Sequence, residues 1–520
     1  MIRNFELSFL RLFRVVKAAM LPSLAALLAS CSHNTATSKK PNVIIILADD
    51  LGYGDLECYG AKNVNTENVN ALAEDGLRFT NAHATASTST PSRYSLLTGE
   101  YAWRRPDTDI ARGDAGMIIR PEQYTMADMF KDEGYSTCAI GKWHLGLGEK
   151  TACQDWNAPL PIALGDIGFD YSYIMAATAD RVPCVFIENG QVADYDPDAP
   201  IFVDYEQNFP GEPTGYDNPE LCYNLKSSQG HCMSIVNGIG RIGYMKGGGK
   251  ALWKDENIAD SITVHATEYI RKHKDEPFFM YFATNDVHVP RFPHERFRGK
   301  TNMGLRGDAI AEFDWSVGQI VNTLKELGLY ENTLIILTSD NGPVLDDGYA
   351  DRAKELLNGH DPSGGMRGGK YSVLEAGTVV PFIVSWPNRI SGGDSSNALV
   401  SQIDLFASMK ELIDASLPTD AAPDSWNSLS TIIGEDSKDR EWVVEQAYDH
   451  TMSIRNKQWK YIEPSDGPLM IDWGPEIETG NSNVPQLFEM TDNVERENVA
   501  SVYPDIAVEL QETLNEVRGK

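Results

Sequence analysis

Asn42-Val43-Ile44-Ile45-Ile46-Leu47-Ala48 runs apolar and largely β-branched without a break, then stops at Asp49-Asp50. A strand with one wet face alternates apolar and polar residues. An unbroken run marks a strand covered on both faces, as in a parallel sheet between helices. Further strands are read at 277–283, 333–338 and 380–385, and a short one at 136–140. Helical spacing marks 66–77, 124–133, 257–271, 308–327 and 399–413, and a helix follows Ser89. Strand runs alternating with helices predict an α/β fold: a large domain with a mostly parallel central sheet flanked by helices. After a Pro- and Asp-rich stretch at 417–425 the chain changes to short strands, at 441–445, 453–455, 459–462 and 487–490, and one last helix at 505–518. No internal repeat is evident.

Several of these strand runs end in polar residues. They are Asp49-Asp50, Gly141-Lys142-Trp143-His144, Asn285-Asp286-Val287-His288 and Ser339-Asp340-Asn341-Gly342. Open α/β sheets bind ligands outside the carboxyl ends of their strands, so residues far apart in sequence can converge there. Each phrase by itself stays open. Asp49-Asp50 reads as a solvated acidic turn or as a cation site, because adjacent carboxylates repel unless something positive lies between them. Lys142 and His144, two apart in extended chain, point the same way. His288 caps a strand end or acts on a ligand, and Asn341-Gly342 is also a common turn. In Ser89-Thr90-Pro91-Ser92-Arg93, Pro91 suits a first helical turn. That places Ser89 just before a helix start, as a cap or beside a bound anion.

The 520 residues carry a formal net charge of -30, which excludes nucleic acid as a partner and general steering of an anionic substrate. An anion pocket must then be a local basic island. Arg3, Arg11, Arg14 and Lys17 precede an apolar run at 18–29 that fits a signal peptide, and Leu28-Ala29-Ser30-Cys31 reads as a lipobox. This predicts a lipoprotein signal at 1–30, a polar tether at 31–40 and an exported protein held by lipid on Cys31, in the periplasm or at the outer membrane. Six further cysteines show no metal-binding spacing.

Taken together, Ser89-Thr90-Pro91-Ser92-Arg93 with Leu97-Thr98-Gly99, Asp49-Asp50, Gly141-Lys142-Trp143-His144, His288, Ser339-Asp340-Asn341-Gly342 and Lys370 resemble the motifs of type I, formylglycine-dependent sulfatases of the alkaline phosphatase superfamily, in the bacterial Ser form. The resemblance implies an alkaline-phosphatase-like catalytic domain at 41–415 and a smaller C-terminal subdomain at 425–520, an antiparallel sheet packed by a helix. It implies that Ser89 is oxidised to formylglycine by an anaerobic sulfatase-maturating enzyme. Asp49, Asp50, residue 89, Asp340 and the Asn341 carbonyl would hold a divalent cation. Oxygen-only ligands suit calcium, with magnesium as runner-up. Arg93 would steady residue 89, Lys142 and Lys370 would bind the sulfate, His288 would protonate the leaving alcohol and His144 would help remove a hydroxyl proton. The family's usual Arg two residues before Pro381 is replaced by Val379. The alternatives are a phosphatase, phosphodiesterase or phosphonate hydrolase of the same superfamily, and a glycan-binding lipoprotein without activity.

The segment 152–255 has weak periodicity and reads as a surface insertion that sets specificity. Asp180, Arg181 and His231 are its candidates for substrate contact, against a role in loop stabilisation. The phrases at 178–184, 241–245 and 306–308 resemble bacterial sulfatases acting on 6-O-sulfated galactose or N-acetylgalactosamine of host glycans.

Overall fold

In the computed structural model, which describes residues 40–491 and 494–519, β1 (Asn42–Ala48) lies in the middle of a ten-stranded sheet and is buried throughout. The other strands are β2 (Gly76–Phe79), β3 (Ser136–Lys142), β4 (Tyr171–Met175), β5 (Phe186–Glu188), β6 (Gln191–Val192), β7 (Phe278–Ala283), β8 (Thr333–Ser339), β9 (Phe382–Ser385) and β10 (Asp394–Ser396). Their order is β10-β2-β9-β8-β1-β7-β3-β4-β5-β6. From β8 to β4 every pairing is parallel; antiparallel pairs follow on both sides, and the edge strand β10 is again parallel to β2. The runs at 42–48, 136–140, 277–283 and 333–338 are therefore in the parallel centre, as the covered-strand argument requires, whereas the run at 380–385 became β9, antiparallel to β8 and β2.

The longer helices are α1 (Glu67–Glu74), α2 (Ser89–Thr98), α3 (Met126–Asp132), α4 (Ile258–Lys272), α5 (Gly304–Glu326), α6 (Leu405–Leu412) and α7 (Pro504–Gly519). Three expectations need correction. The helix expected over 66–77 stops at Glu74, because Leu77 and Phe79 are taken by β2 against β9. The helix expected from 399 starts at Leu405, since Val400 and Ser401 pair with Ala82 and His83 instead. The expected strand at 136–140 is longer, and β4 inside the insertion had no separate signal. Tertiary pairing overrides local periodicity in each case.

The C-terminal strands β11 (Val443–Gln446), β12 (Met452–Arg455), β13 (Trp459–Ile462) and β14 (Gln486–Glu489) make a four-stranded antiparallel sheet in chain order. α7 packs on β12 and β13. β11 also reaches the main domain: Ser87 N donates to Gln446 O at 2.9 Å and Gln446 N donates to Thr85 O at 3.0 Å. The run leading into Ser89 is thus tied directly to the small sheet. Among the described residues no helix is long and apolar enough to cross a membrane. The signal segment, the tether up to Lys39 and Cys31 lie outside the described residues.

Candidate active site

Asp49 and Asp50 leave the end of β1, and Asp340 and Asn341 leave the end of the adjacent parallel strand β8. Parallel pairing brings these ends side by side. Asp50 adopts a left-handed backbone, φ +57, so the chain turns sharply as it leaves the sheet, and its N–H donates to Asp340 Oδ1 at 3.2 Å. Gly342 sits where a Cβ would lie 1.7 Å from Ala376 O. The Asn-Gly pair is therefore a close-packing requirement rather than a simple turn.

Ser89 is the first residue of α2, with Thr88 as N-cap. The sequence reading placed Ser89 one residue outside the helix. The shift matters, because Ser89 and Arg93 then stand one helical turn apart on one face. Arg93 Nε donates to Ser89 Oγ at 2.8 Å and to Asp340 Oδ2 at 3.0 Å. Ser89 Oγ donates to Asp340 Oδ2 at 2.6 Å. Lys142, at the end of β3, donates to Asp49 Oδ1 at 2.6 Å. Lys370 donates to Asp50 Oδ2 at 2.8 Å and to Asp347 Oδ2 at 2.9 Å. Asn341 Nδ2 donates to Asp50 Oδ1 at 2.8 Å. Two buried oxygens, Asp49 Oδ2 and Asn341 Oδ1, receive no hydrogen bond.

Electrostatics favours a cation here. Burial, reinforced by repulsion from Asp340 and Asp50, pushes the Asp49 carboxyl well up despite Lys142 beside it. Burial also pushes Lys142 down. For Asp340, Arg93 and Lys142 overcome the burial penalty and hold its pKa down. Three carboxylates and an amide oxygen, with one carboxylate oxygen and the amide oxygen lacking donors, form a hard, oxygen-rich set that fits a calcium- or magnesium-like ion and no thiophilic one. Asp49, Asp50 and His288 have ligand atoms within 4.8 Å of one another.

The two histidines have assigned hydrogen positions. His288 Nδ1 lies 2.6 Å from Val289 O, and a carbonyl only accepts, so Nδ1 carries the hydrogen. Its Nε2 is 3.7 Å from Asp50 Oδ2. His144 Nε2 lies 3.0 Å from Ala111 O and carries the hydrogen, which leaves Nδ1 as an unpartnered buried base. Burial, with Lys370 and Lys142 nearby, holds His288 well below the usual imidazole range; burial and Lys142 do the same for His144. His144 has φ +60 and lies beyond the strand. The expected extended geometry of Lys142 and His144 is therefore replaced by a turn, although both reach the site.

Ser89, His144, His288 and Lys370 line a cleft of about 160 Å³. The insertion brings Asp180, Arg181 and His231 to the same cleft. Asp180 Oδ2 lies 3.0 Å from His231 Nε2, and Arg181 Nη1 donates to Asp180 at 3.2 Å. Arg181 and His231 hold the Asp180 carboxyl well down against its burial. The phrases at 241–245 and 306–308 do other work. Arg241 forms a buried pair with Asp255, Arg306 grips Asp55, and Asp308 accepts from Gly299 N and Thr301 N. Asp347, Tyr371 and Trp473 also line the cleft and escaped the sequence reading. Asp347 lies in an acidic loop with no motif, and Trp473 comes from the C-terminal part. A larger open groove of about 1040 Å³ shares Ile110 with the cleft but none of the reactive side chains.

Residues 41–415 match the sulfatase family. The chain is 52% identical over 507 residues to an N-acetylgalactosamine-6-O-sulfatase of Bacteroides thetaiotaomicron, covering 96% of this chain and 98% of that one. It is 31% identical to human arylsulfatase A, covering 76% of this chain and 68% of that one. A solved structure from work on the metabolism of multiple glycosaminoglycans by Bacteroides thetaiotaomicron superposes with a TM-score of 0.91 at 53% identity, covering 93% of this chain and all of that one. A phosphonate monoester hydrolase of Agrobacterium radiobacter, with a TM-score of 0.56 at 17% identity over 92% of this chain and 96% of that one, shares the fold alone. With these motifs at the strand ends, a match over most of its length and a full-length sulfatase relative, this chain belongs to the sulfatase family and is a sulfuric ester hydrolase.

Proposed function

We propose that this enzyme removes the 6-O-sulfate from galactose or N-acetylgalactosamine in host glycans, using Ser89 matured to formylglycine and a bound calcium ion, with magnesium as runner-up. One observation carries the reading: Ser89 Oγ, held by Arg93 at 2.8 Å and Asp340 at 2.6 Å, lines a cleft together with His144, His288 and Lys370. The full-length relative that acts on N-acetylgalactosamine 6-sulfate supports the sugar.

Asp49, Asp50, Asp340 and the Asn341 carbonyl would hold the cation. Hydrated formylglycine supplies two hydroxyls on one carbon, one to attack sulfur and one whose deprotonation expels sulfate, while the cation adds positive charge. The chain's own groups do the rest. Arg93 fixes the rotamer at position 89. Lys142 and Lys370 would exchange their carboxylate partners for sulfuryl oxygens, where they stabilise charge that grows in the transition state. His144, whose Nδ1 lacks a partner, would accept a hydroxyl proton. His288 Nε2 must first gain a proton to serve as general acid, and the negative charge of a bound sulfate ester favours that gain. Asp180, Arg181 and His231 would pair sugar hydroxyls, because a site built around one hydroxyl strongly rejects the epimer lacking it.

We further propose that the chain is exported, lipid-anchored at Cys31 in the periplasm or outer membrane, and matured by an oxygen-independent radical enzyme. The test is twofold. Mass analysis of the peptide containing residue 89 should show an aldehyde, and a panel of monosulfated sugars should show turnover of 6-sulfated galactose or N-acetylgalactosamine. An intact serine in fully active protein refutes the nucleophile. Preference for a gluco-configured sugar or for a 3- or 4-sulfate refutes the substrate.

A further inference from the structure

Trp473 belongs to the loop between β13 and β14 of the C-terminal sheet, and 42% of it is exposed. Its side chain nevertheless lines the cleft that contains Ser89 and His288. Its ring packs edge-to-face on Tyr371 and on Tyr448, each at 5.4 Å between centroids and 71°. Tyr371 and Tyr448 meet each other at 6.0 Å and 82°. In such a three-ring corner each ring sets the tilt of the other two. Tyr371 is fixed further: its hydroxyl donates to Asp347 Oδ1 at 2.9 Å. Its backbone has φ +78, a conformation costly for a bulky residue and kept where surrounding structure enforces it.

The loop also reaches the insertion. A Cβ on Gly474 would lie 1.5 Å from Gln229 Nε2, so the chain beside Trp473 abuts the segment carrying His231. Much of the remaining lining is charged, with Asp180, Arg181, Asp347 and Lys370. Charged groups pair hydroxyls but offer nothing to the C–H face of a pyranose. A large, half-exposed indole fixed at such a place has an apolar face to cover.

We propose that Trp473 is the stacking wall of the sugar site, receiving the apolar face of a galacto-configured pyranose that carries the sulfate. An axial 4-hydroxyl leaves the C3, C4 and C5 hydrogens on one side of the ring, which gives a continuous apolar patch the size of an indole. The C-terminal sheet thereby contributes to substrate choice as well as to stability. This inference rests on the glycan reading above.

The test uses the matured enzyme, the Trp473→Ala and Trp473→Phe variants, and two ligands. One ligand is N-acetylgalactosamine 6-sulfate as substrate; the other is inorganic sulfate as competitive inhibitor, which occupies the anion site without a sugar. Trp473→Ala should raise KM for the sugar sulfate by about tenfold, the scale set by losing one buried aromatic face. The inhibition constant of sulfate should move far less, and Trp473→Phe should recover most of the loss. An unchanged KM overturns the stacking wall, and so does a sulfate constant that weakens in step with KM, since that reports a distorted site. Wild-type enzyme that ignores galacto 6-sulfates yet hydrolyses a simple aryl sulfate overturns the glycan reading and this inference with it. Wild-type turnover combined with an unaffected Ala variant overturns this inference alone.

Discussion

Two clusters of buried charge in this protein are built from the same parts and do opposite things. The first joins Asp49, Asp50 and Asp340 to Arg93, Lys142 and Lys370 at the strand ends. The second joins Glu375, Glu445 and Glu495 to Arg455, Lys460 and His83, where the C-terminal sheet meets the main domain. Each contains a histidine and two carboxylates with ligand atoms within 4.8 Å of one another. Proximity alone would nominate both as metal sites. In the second, however, the Lys460 ammonium already lies 3.0, 3.3 and 3.1 Å from the three carboxylates, where an ion would sit. Glu445 is saturated as well: its Oε1 contacts His83 Nδ1 and Thr378 Oγ1 at 2.6 Å each, and Oε2 accepts from Ser453 at 2.9 Å. The first cluster reaches a cleft through Lys370 and keeps two oxygens without donors, whereas the second keeps one, Glu495 Oε2. An ammonium at the centre of the carboxylates marks the structural cluster and a cleft marks the candidate site; burial and charge separate neither.

The largest effect that can break this comparison is metal removal. Excess chelator should abolish turnover and added calcium should restore it, while the fold measured by circular dichroism persists. Full activity in chelator, with metal analysis showing an empty site, would contradict the assignment. Next, Asp340→Asn keeps the shape but removes a charge that holds Ser89 and Arg93. It should lower kcat by about 10²–10³-fold, the scale of losing one preorganised electrostatic partner. Turnover within a few-fold of wild type counts against it.

The mirror experiment in the other cluster should damage stability rather than chemistry. Lys460→Met leaves three buried carboxylates facing Arg455 and His83. It should cost about 3–5 kcal/mol in denaturant unfolding, as breaking a buried ion pair from one side does. Molecules still folded should keep their kcat. An unchanged unfolding midpoint, or a kcat lost before the fold, would erase the distinction.

The smallest effect is the sharpest. Burial, with Glu375 nearby, pushes the Glu495 carboxyl up to about 7 even against Lys460. One ammonium is shared among three buried carboxylates, and Glu495 holds its proton up to about pH 7. In the unfolded chain a Glu releases its proton near about pH 4.3. A raised folded pKa means that the stability from this proton is present below that pH and is lost as pH rises through about 7. Glu495→Gln imitates the protonated form. The variant's unfolding free energy should therefore gain on wild type between pH 5 and pH 8. A difference that stays flat over this range would show that Glu495 is ionised throughout.

The site was legible in the sequence to the extent that its residues follow strands. An apolar run that ends in acids, or in Lys142, announces both a buried strand and the polar end where a doubly covered sheet must open to solvent. Asp308 and Asp314, both on α5, bind backbone N–H groups near helix starts and serve the fold. Asp347 and Trp473 were not readable, because neither follows a strand nor sits in a periodic segment. The turn that carries His144 was missed for the same kind of reason: its φ of +60 is set by packing beyond the strand end rather than by a glycine.

By itself the sequence determined the parallel centre, the strand-end placement of Asp49, Asp50, Lys142, His288, Asp340 and Asn341, and the helix behind Ser89. Periodicity and strand length act over a few residues and survive without knowledge of neighbours. Only the tertiary structure decided which carboxylate meets which cation, where β2 interrupts an expected helix, and that the C-terminal sheet reaches the cleft. Those contacts join residues hundreds of positions apart, such as Ser89 with Asp340 at a separation of 251. Their energies depend on burial and on every charge nearby, quantities that no local window contains.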